Sequence, residues 1–231
     1  MSEAEFLLIH GSCHGAWCWH RLIPALAERG HRARAIDLPR HPGVSLQDQA
    51  GAILAALPRP AILLGHSAGG LPITAAAETD PARIRALVWL CAFIPHDGAS
   101  VASLRRAQSR QPLPPAIRVA GDSYSFAPDR LRDLFYHDCS DEDYALAARN
   151  LCPEPIAPQE TPLRVSARSQ DLPHFALLCE EDRAIPPEAQ EEMARTIPPA
   201  NRFRLDCGHS PFFARPQETA AMLAEIAARL R

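Results

Sequence analysis

The chain contains no lysine: all 24 of its basic residues are arginine. Schiff-base chemistry through a lysine amine is therefore excluded, as is any mechanism that needs a lysine ammonium. Net charge is also scarce. A formal charge of −3 gives no electrostatic basis for binding nucleic acid or an anionic membrane surface, and neither is expected as a partner. No run approaches the roughly 18 apolar residues of a membrane span, and the N-terminal MSEAEF lacks the basic-then-apolar pattern of a signal peptide. The seven cysteines are odd in number, and the close pair Cys13 and Cys18 has no matching second pair. A disulfide framework is not expected, and the reading is a protein of the reducing cytoplasm.

What is present is ordinary globular composition, 47% hydrophobic and 22% charged over 231 residues, enough for one domain spanning 1–231. Short unbroken apolar runs at Phe6–Ile9, Ala61–Leu64, Ile84–Phe93 and Phe175–Cys179 read as strands buried on both faces, with weaker strands at Arg32–Ile36 and Arg202–Leu205. Between them lie helical patterns at Trp17–Arg29, Gln47–Leu57, Leu71–Thr79, Pro187–Thr196 and Gln217–Leu230. Strands alternating with helices imply an α/β fold with a mostly parallel sheet covered on both sides. The stretch 96–172, rich in proline and short helical patches such as Asp129–Tyr136 and Asp141–Asn150, breaks this rhythm. It reads as a cap inserted into a core made of 1–95 and 173–231.

Gly65-His66-Ser67-Ala68-Gly69 matches the G-x-S-x-G nucleophile elbow, and it has the required context of a buried strand before and a helix after. The glycines are needed because side chains flanking a sharp strand-to-helix turn would collide with their neighbours. A serine hydroxyl needs a base, and in folds of this kind the order along the chain is Ser, then Asp or Glu, then His. Of the histidines that follow Ser67, His96 comes too early, His137 falls in the insertion and His174 opens a strand. His209, in the loop between the last short strand and the last helix, is the expected base. Glu180, Glu181 and Asp182 compete for the acid after Cys179; Asp182 is preferred, Glu181 stays open on physical grounds, and Asp97 is a lesser alternative.

Acyl transfer also needs donors aimed at a developing oxyanion. The amide of Ala68, next to the nucleophile, and that of Ser12, in the loop after the first strand, are the candidates. His10, Cys13, His14, Cys18 and His20 are gathered in sequence but span strand end, loop and helix without a recognised zinc spacing, so no metal and no cofactor is expected.

FLLIHGSCHGAWCWHRLIPALAERGH, GHSAGG, LCEEDRAIPPE and CGHSPFFARPQE resemble the plant methylesterase and hydroxynitrile lyase family of α/β-hydrolases and its bacterial esterase relatives. Within the insertion, DLFYHDCSDEDYALAARNLCPEP is similar to that family's cap. The likeness spans nearly the whole chain and is thin from Gly98 to Ala116. It implies an α/β-hydrolase fold with a cap, a triad of Ser67, Asp182 and His209, and oxyanion donors at Ser12 and Ala68, which favours Asp182 over Glu181. Lyases of the family carry a threonine where this chain has Gly11 and a lysine where it has Ser210.

The expected function is therefore hydrolysis of a small, mainly apolar carboxylic ester through an acyl-enzyme. Thioester or lactone hydrolysis, a lyase-like activity, and a ligand receptor built on a hydrolase fold are the alternatives. Phe126, Leu134 and Phe135 of the cap are the candidates for facing the substrate. The partner is a small-molecule ester; whether the chain forms a homodimer is left open by the sequence.

Overall fold

A computed structural model describes residues 4–230; the first three residues of the MSEAEF stretch and residue 231 lie outside it. Strands β1 (Glu5–Ile9), β2 (Arg32–Ile36), β3 (Ala61–His66) and β4 (Ile84–Leu90) come first. The insertion carries β5 (Ile117–Ala120), β6 (Ser123–Phe126) and β7 (Glu154–Pro155), and β8 (His174–Cys179) and β9 (Arg202–Leu205) complete the order. Among the described residues, six strands form one sheet in the order β2-β1-β3-β4-β8-β9, and each neighbouring pair is parallel.

The unbroken apolar runs follow from this arrangement. Successive side chains of a strand point to opposite faces, and here each face has its own helical layer. Phe6, Leu8, Ile62, Leu64 and Val88 pack in one buried cluster with Leu22 and Leu26 of helix Leu22–Ala27 and Leu223 and Ile226 of helix Pro216–Arg229. Leu7, Ile9, Leu63, Leu87 and Trp89 pack in a second, with Leu46 and Ile53 of helix Leu46–Ala55 and Leu71 and Ile73 of helix Gly70–Thr79. Each fully buried leucine of this kind contributes roughly 1.5–3 kcal/mol, so both layers are bound to the sheet.

The chain steps outward from β1 to β2 and then returns across β1 to β3. The strand order reverses between β1 and β3, and the crevice beyond the carboxyl ends of such a pair is where open α/β sheets bind ligands. The loop 10–15 and Ser67 leave these two strand ends side by side.

Some element bounds differ from the sequence expectation for local reasons. The Trp17–Arg29 helix is two pieces, a 3₁₀ turn at Ala16–His20 and an α-helix at Leu22–Ala27. Pro24 has no N–H to continue a helical ladder from the preceding turn, so the helix restarts just before it. The strand expected to Phe93 ends at Leu90, where Cys91 turns the chain with a φ of 36°. Helix Leu46–Ala55 begins at a capping box in which Ser45 and Asp48 hydrogen-bond each other's backbone N–H.

The insertion contains helices Val101–Ala107, Pro128–Phe135 and Asp141–Asn150 and a small antiparallel sheet, β5-β6-β7, that the sequence reading did not anticipate. Ala120 pairs with Ser123 across a two-residue loop, Gly121-Asp122, with Gly121 at a φ of 62°. A glycine-containing pair between IRVA and SYSF is a hairpin signal. The end of the insertion returns to the core, where the Ser166 N–H donates to Glu78 at 2.8 Å. Among the described residues no helix is long and apolar enough to cross a membrane.

Candidate active site

β3 runs directly into Ser67, whose φ of 54° lies in a region that non-glycine residues seldom occupy. The strain is held by its surroundings: the Phe93 N–H donates to the Ser67 carbonyl at 3.0 Å. Gly65 is required by close approach, since a Cβ there would stand 2.5 Å from the Gly69 carbonyl oxygen. The turn therefore lifts the hydroxyl clear of the sheet's carboxyl edge, with the Ser67 residue only 9% exposed.

His209 reaches this hydroxyl from the loop after β9. Its Nε2 lies 3.0 Å from Ser67 Oγ, and its Nδ1 lies 2.7 Å from Asp182 Oδ2. A carboxylate can only accept, so Nδ1 carries the proton and Nε2 is left to accept from the serine. Asp182 is fully committed. Its Oδ1 accepts from the Ala184 and Ile185 N–H groups at 2.7 and 2.9 Å, and Oδ2 also accepts from the buried Gln190 side chain at 3.0 Å. Glu181, the open competitor, is exposed. The His209 carbonyl accepts from His66 Nε2 at 2.8 Å and from the Cys91 thiol at 3.5 Å, which anchors the loop.

Ser12 sits across the cleft, tied on several sides. Its hydroxyl accepts from Tyr124 at 2.7 Å, its carbonyl accepts from His14 Nδ1 at 2.8 Å, and the following N–H, of Cys13, donates to Glu154 at 2.9 Å. Glu154 is buried and paired with Arg40. Ala68, the residue after Ser67, lies in the 3₁₀ turn Ser67–Gly69, where first-turn amides have no partner within the helix. Gly11 is a second site of close approach. A Cβ there would stand 2.7 Å from the Ser67 Cβ and 2.9 Å from His66 Nδ1, so the lyase threonine does not fit this geometry.

The histidines near His10 are engaged in this scaffold. His10 donates from Nδ1 to the Gly11 carbonyl at 2.8 Å and accepts at Nε2 from the Leu38 N–H at 3.1 Å. His14 accepts at Nε2 from the Tyr136 hydroxyl at 2.7 Å. Burial, aided by the Arg40 charge, lowers the His10 pKa to about 3, and burial lowers that of His14 to about 4. Burial also pushes His66 well below its ordinary value, with the nearby His209 adding to the effect. A different group, His66, Cys91 and His209, brings three potential ligand atoms within 4.8 Å. Both His209 nitrogens are already taken by Ser67 and Asp182.

A narrow cleft opens over Ser67 and His209, and Ser12, Phe126 and Phe135 line it. Leu134 does not. It is 2% exposed and packs in the first core cluster with Leu131. The sequence reading missed His14, His66, Phe93 and Val101 in this lining, and also Arg105, Leu113 and Tyr124. For His66, its place inside the elbow motif is a usable signal, as is that of His14 two residues after Ser12 and of Tyr124 two residues before Phe126; Phe93, Val101, Arg105 and Leu113 come from parts of the chain that only folding brings to the site.

A family model described as "Alpha/beta hydrolase family" matches residues 6–222. The chain belongs to that family. Methylesterase 18 of Arabidopsis thaliana is 30% identical, with 100% of this chain and 99% of the relative covered. Methylesterase 1 of the same plant is 29% identical over 97% and 96% of the two chains. Among solved structures, tomato methylketone synthase I superposes with a TM-score of 0.87 at 24% identity, covering 100% of both chains. A pyrethroid hydrolase from Sphingobium faniae gives 0.87 at 24% identity over 98% of each. The six-stranded parallel sheet with a small antiparallel insertion is thus the α/β-hydrolase fold.

Proposed function

We propose that this protein is a serine hydrolase of small carboxylic esters. The observation that carries the reading is the continuous hydrogen-bonded line Ser67–His209–Asp182 at the edge of an enclosed cleft. Ser67 Oγ attacks the acyl carbon as its proton passes to His209 Nε2, and Asp182 steadies the imidazolium. The oxyanion forms against the amides of Ser12 and Ala68. His209 returns the proton to the leaving alcohol, giving an acyl-enzyme and a free alcohol. Water then attacks the acyl-enzyme by the same route, releasing the acid and restoring Ser67. No step needs a cofactor.

The acyl group packs against Phe93, Val101, Phe126 and Phe135, which favours a mainly apolar acid of modest size. The relatives named methylesterases support a methyl or other short alcohol on the leaving side. The segment 96–172 acts in this reading as the cap that closes the cleft, and seven thiols, an odd number, suit a reducing cytoplasm. The test is a chain-length series of p-nitrophenyl and methyl esters with the wild type and Ser67→Ala. The variant should lose turnover by ~10⁴-fold or more while keeping its melting temperature. Residual activity within tenfold of wild type would sink the assignment of Ser67.

A further inference from the structure

The lining of the cleft carries one permanent charge. Arg105, on helix Val101–Ala107 of the insertion, lines it together with Val101, Phe126 and Phe135. Its Nε is shut off from solvent and has no hydrogen-bond partner. Among the described residues, no carboxylate pairs with its guanidinium, and no acidic side chain lines the cleft. The two other basic groups there that the site keeps off Ser67, His14 and His66, stay neutral because burial depresses their basicity. Arg105 also stands near Tyr124, whose hydroxyl donates to Ser12. Burial pushes that hydroxyl well above its ordinary range, and the Arg105 charge opposes the shift.

A half-buried guanidinium with a desolvated, unpaired N–H costs free energy in the empty protein, because a buried donor without a partner forfeits its hydration. An anionic group of the ligand would remove that cost. A guanidinium fork matches carboxylate and phosphate oxygens alike. A single positive charge in a narrow cleft whose lining has no acidic side chain fits a monoanion, and so a carboxylate.

We propose that Arg105 determines specificity, and that the preferred substrate is an ester bearing a free carboxylate remote from its scissile carbonyl, such as the monoester of a short dicarboxylic acid. The inference rests on the ester-hydrolase reading above. Ser67 and Arg105 then hold the two ends of one acyl chain, and the apolar side chains pack its methylenes.

The experiment compares monomethyl and dimethyl esters of straight-chain dicarboxylic acids, from succinate to adipate, in wild type, Arg105→Met and Arg105→Lys. The readout is the ratio of kcat/KM for monoester over diester within each protein, which cancels any loss of folded enzyme. The wild type should favour the monoester, and Arg105→Met should lower the ratio by about 10–100-fold, the scale of a charge-assisted hydrogen bond. Arg105→Lys should retain part of the preference. Equal ratios in wild type and Arg105→Met, with the neutral diesters still hydrolysed, overturn the role of Arg105 alone. A wild type that hydrolyses neither these esters nor p-nitrophenyl acetate overturns the ester-hydrolase reading and this inference with it.

Discussion

Asp138, in the insertion, accepts a 2.7 Å hydrogen bond from the backbone N–H of Gly208, the residue before His209. Its neighbour His137 hydrogen-bonds through Nε2 to the Glu181 carbonyl at 3.1 Å, one residue before Asp182. Two consecutive residues of the insertion therefore grip both loops that meet at the imidazole. The fit is close, since a Cβ at Gly208 would stand 2.5 Å from His137 Nε2.

Asp138 should accordingly act as a positioning residue. Asp138→Ala removes a charge-assisted bond and frees the His209 loop, and kcat should fall about tenfold with little change in KM. Asp138→Asn keeps an acceptor oxygen and should recover much of the rate. A kcat within twofold of wild type in the alanine variant, or no recovery by asparagine, would show that the clamp does not position the base.

The parts of the fold and site visible in the sequence are those with local signals. β3, the elbow around Ser67 and the two loops ending at Asp182 and His209 each declare themselves within about ten residues. The Trp17–Arg29 pattern reads as one helix in sequence because apolar spacing survives the break before Pro24. Arg105 carries no local signal, and Tyr124 reads only as one of the cap's aromatic residues. The bond between Tyr124 and Ser12 joins residues 112 positions apart, and no periodicity encodes such a meeting. Leu134 and Phe135 are adjacent on one helix, yet only Phe135 reaches the cleft.

Replacing the acid should separate Asp182 from Glu181. Every oxygen of Asp182 faces donors: the Ala184 and Ile185 N–H groups on one side, Gln190 and His209 on the other. An asparagine must turn its NH₂ toward one of these sets. Facing His209, it drives the imidazole into the wrong tautomer; facing Ala184 and Ile185, it strands two buried donors. Asp182→Asn should lower kcat by ~10³–10⁴. Exposed Glu181 should tolerate glutamine, with a change of ~2-fold or less. The reverse ranking in steady-state assays would mean that the wrong carboxylate has been assigned.

Stability should fall on mild acidification. His10 and His14 have folded pKa values of about 3 and about 4, set mainly by burial, against 6.5 as the ordinary value. Burial moves His66 in the same direction. Below pH 6.5 the unfolded chain binds protons that the folded protein refuses, so the free energy of unfolding falls as pH drops. Each such histidine contributes on the order of 1 kcal/mol per pH unit once the pH is well under 6.5. The loss continues until the folded group itself titrates, near pH 4 for His14 and near pH 3 for His10. Melting temperature at constant ionic strength should therefore decline from pH 7 to pH 5, before most carboxylates titrate. A flat profile over that range would contradict the buried neutral histidines.

The cap should divide into residues that select the substrate and residues that hold the cap together. Phe126 is half-buried, lines the cleft and packs against Phe135 with ring centroids 4.7 Å apart. Leu134 is buried away from the cleft in the core cluster. Phe126→Ala enlarges the acyl site, so KM should rise for short acyl chains and the preferred chain should lengthen by one or more carbons, with a modest drop in melting temperature. Leu134→Ala leaves a cavity in packed surroundings and should cost ~2–5 kcal/mol of stability. Its remaining folded fraction should keep the wild-type order of substrate preference, because its own side chain does not line the cleft. Measuring denaturant midpoints and chain-length profiles on both variants decides the matter. A shifted acyl preference in Leu134→Ala, or an unshifted one in Phe126→Ala, would mean that selectivity arises elsewhere than in the wall formed by Phe126.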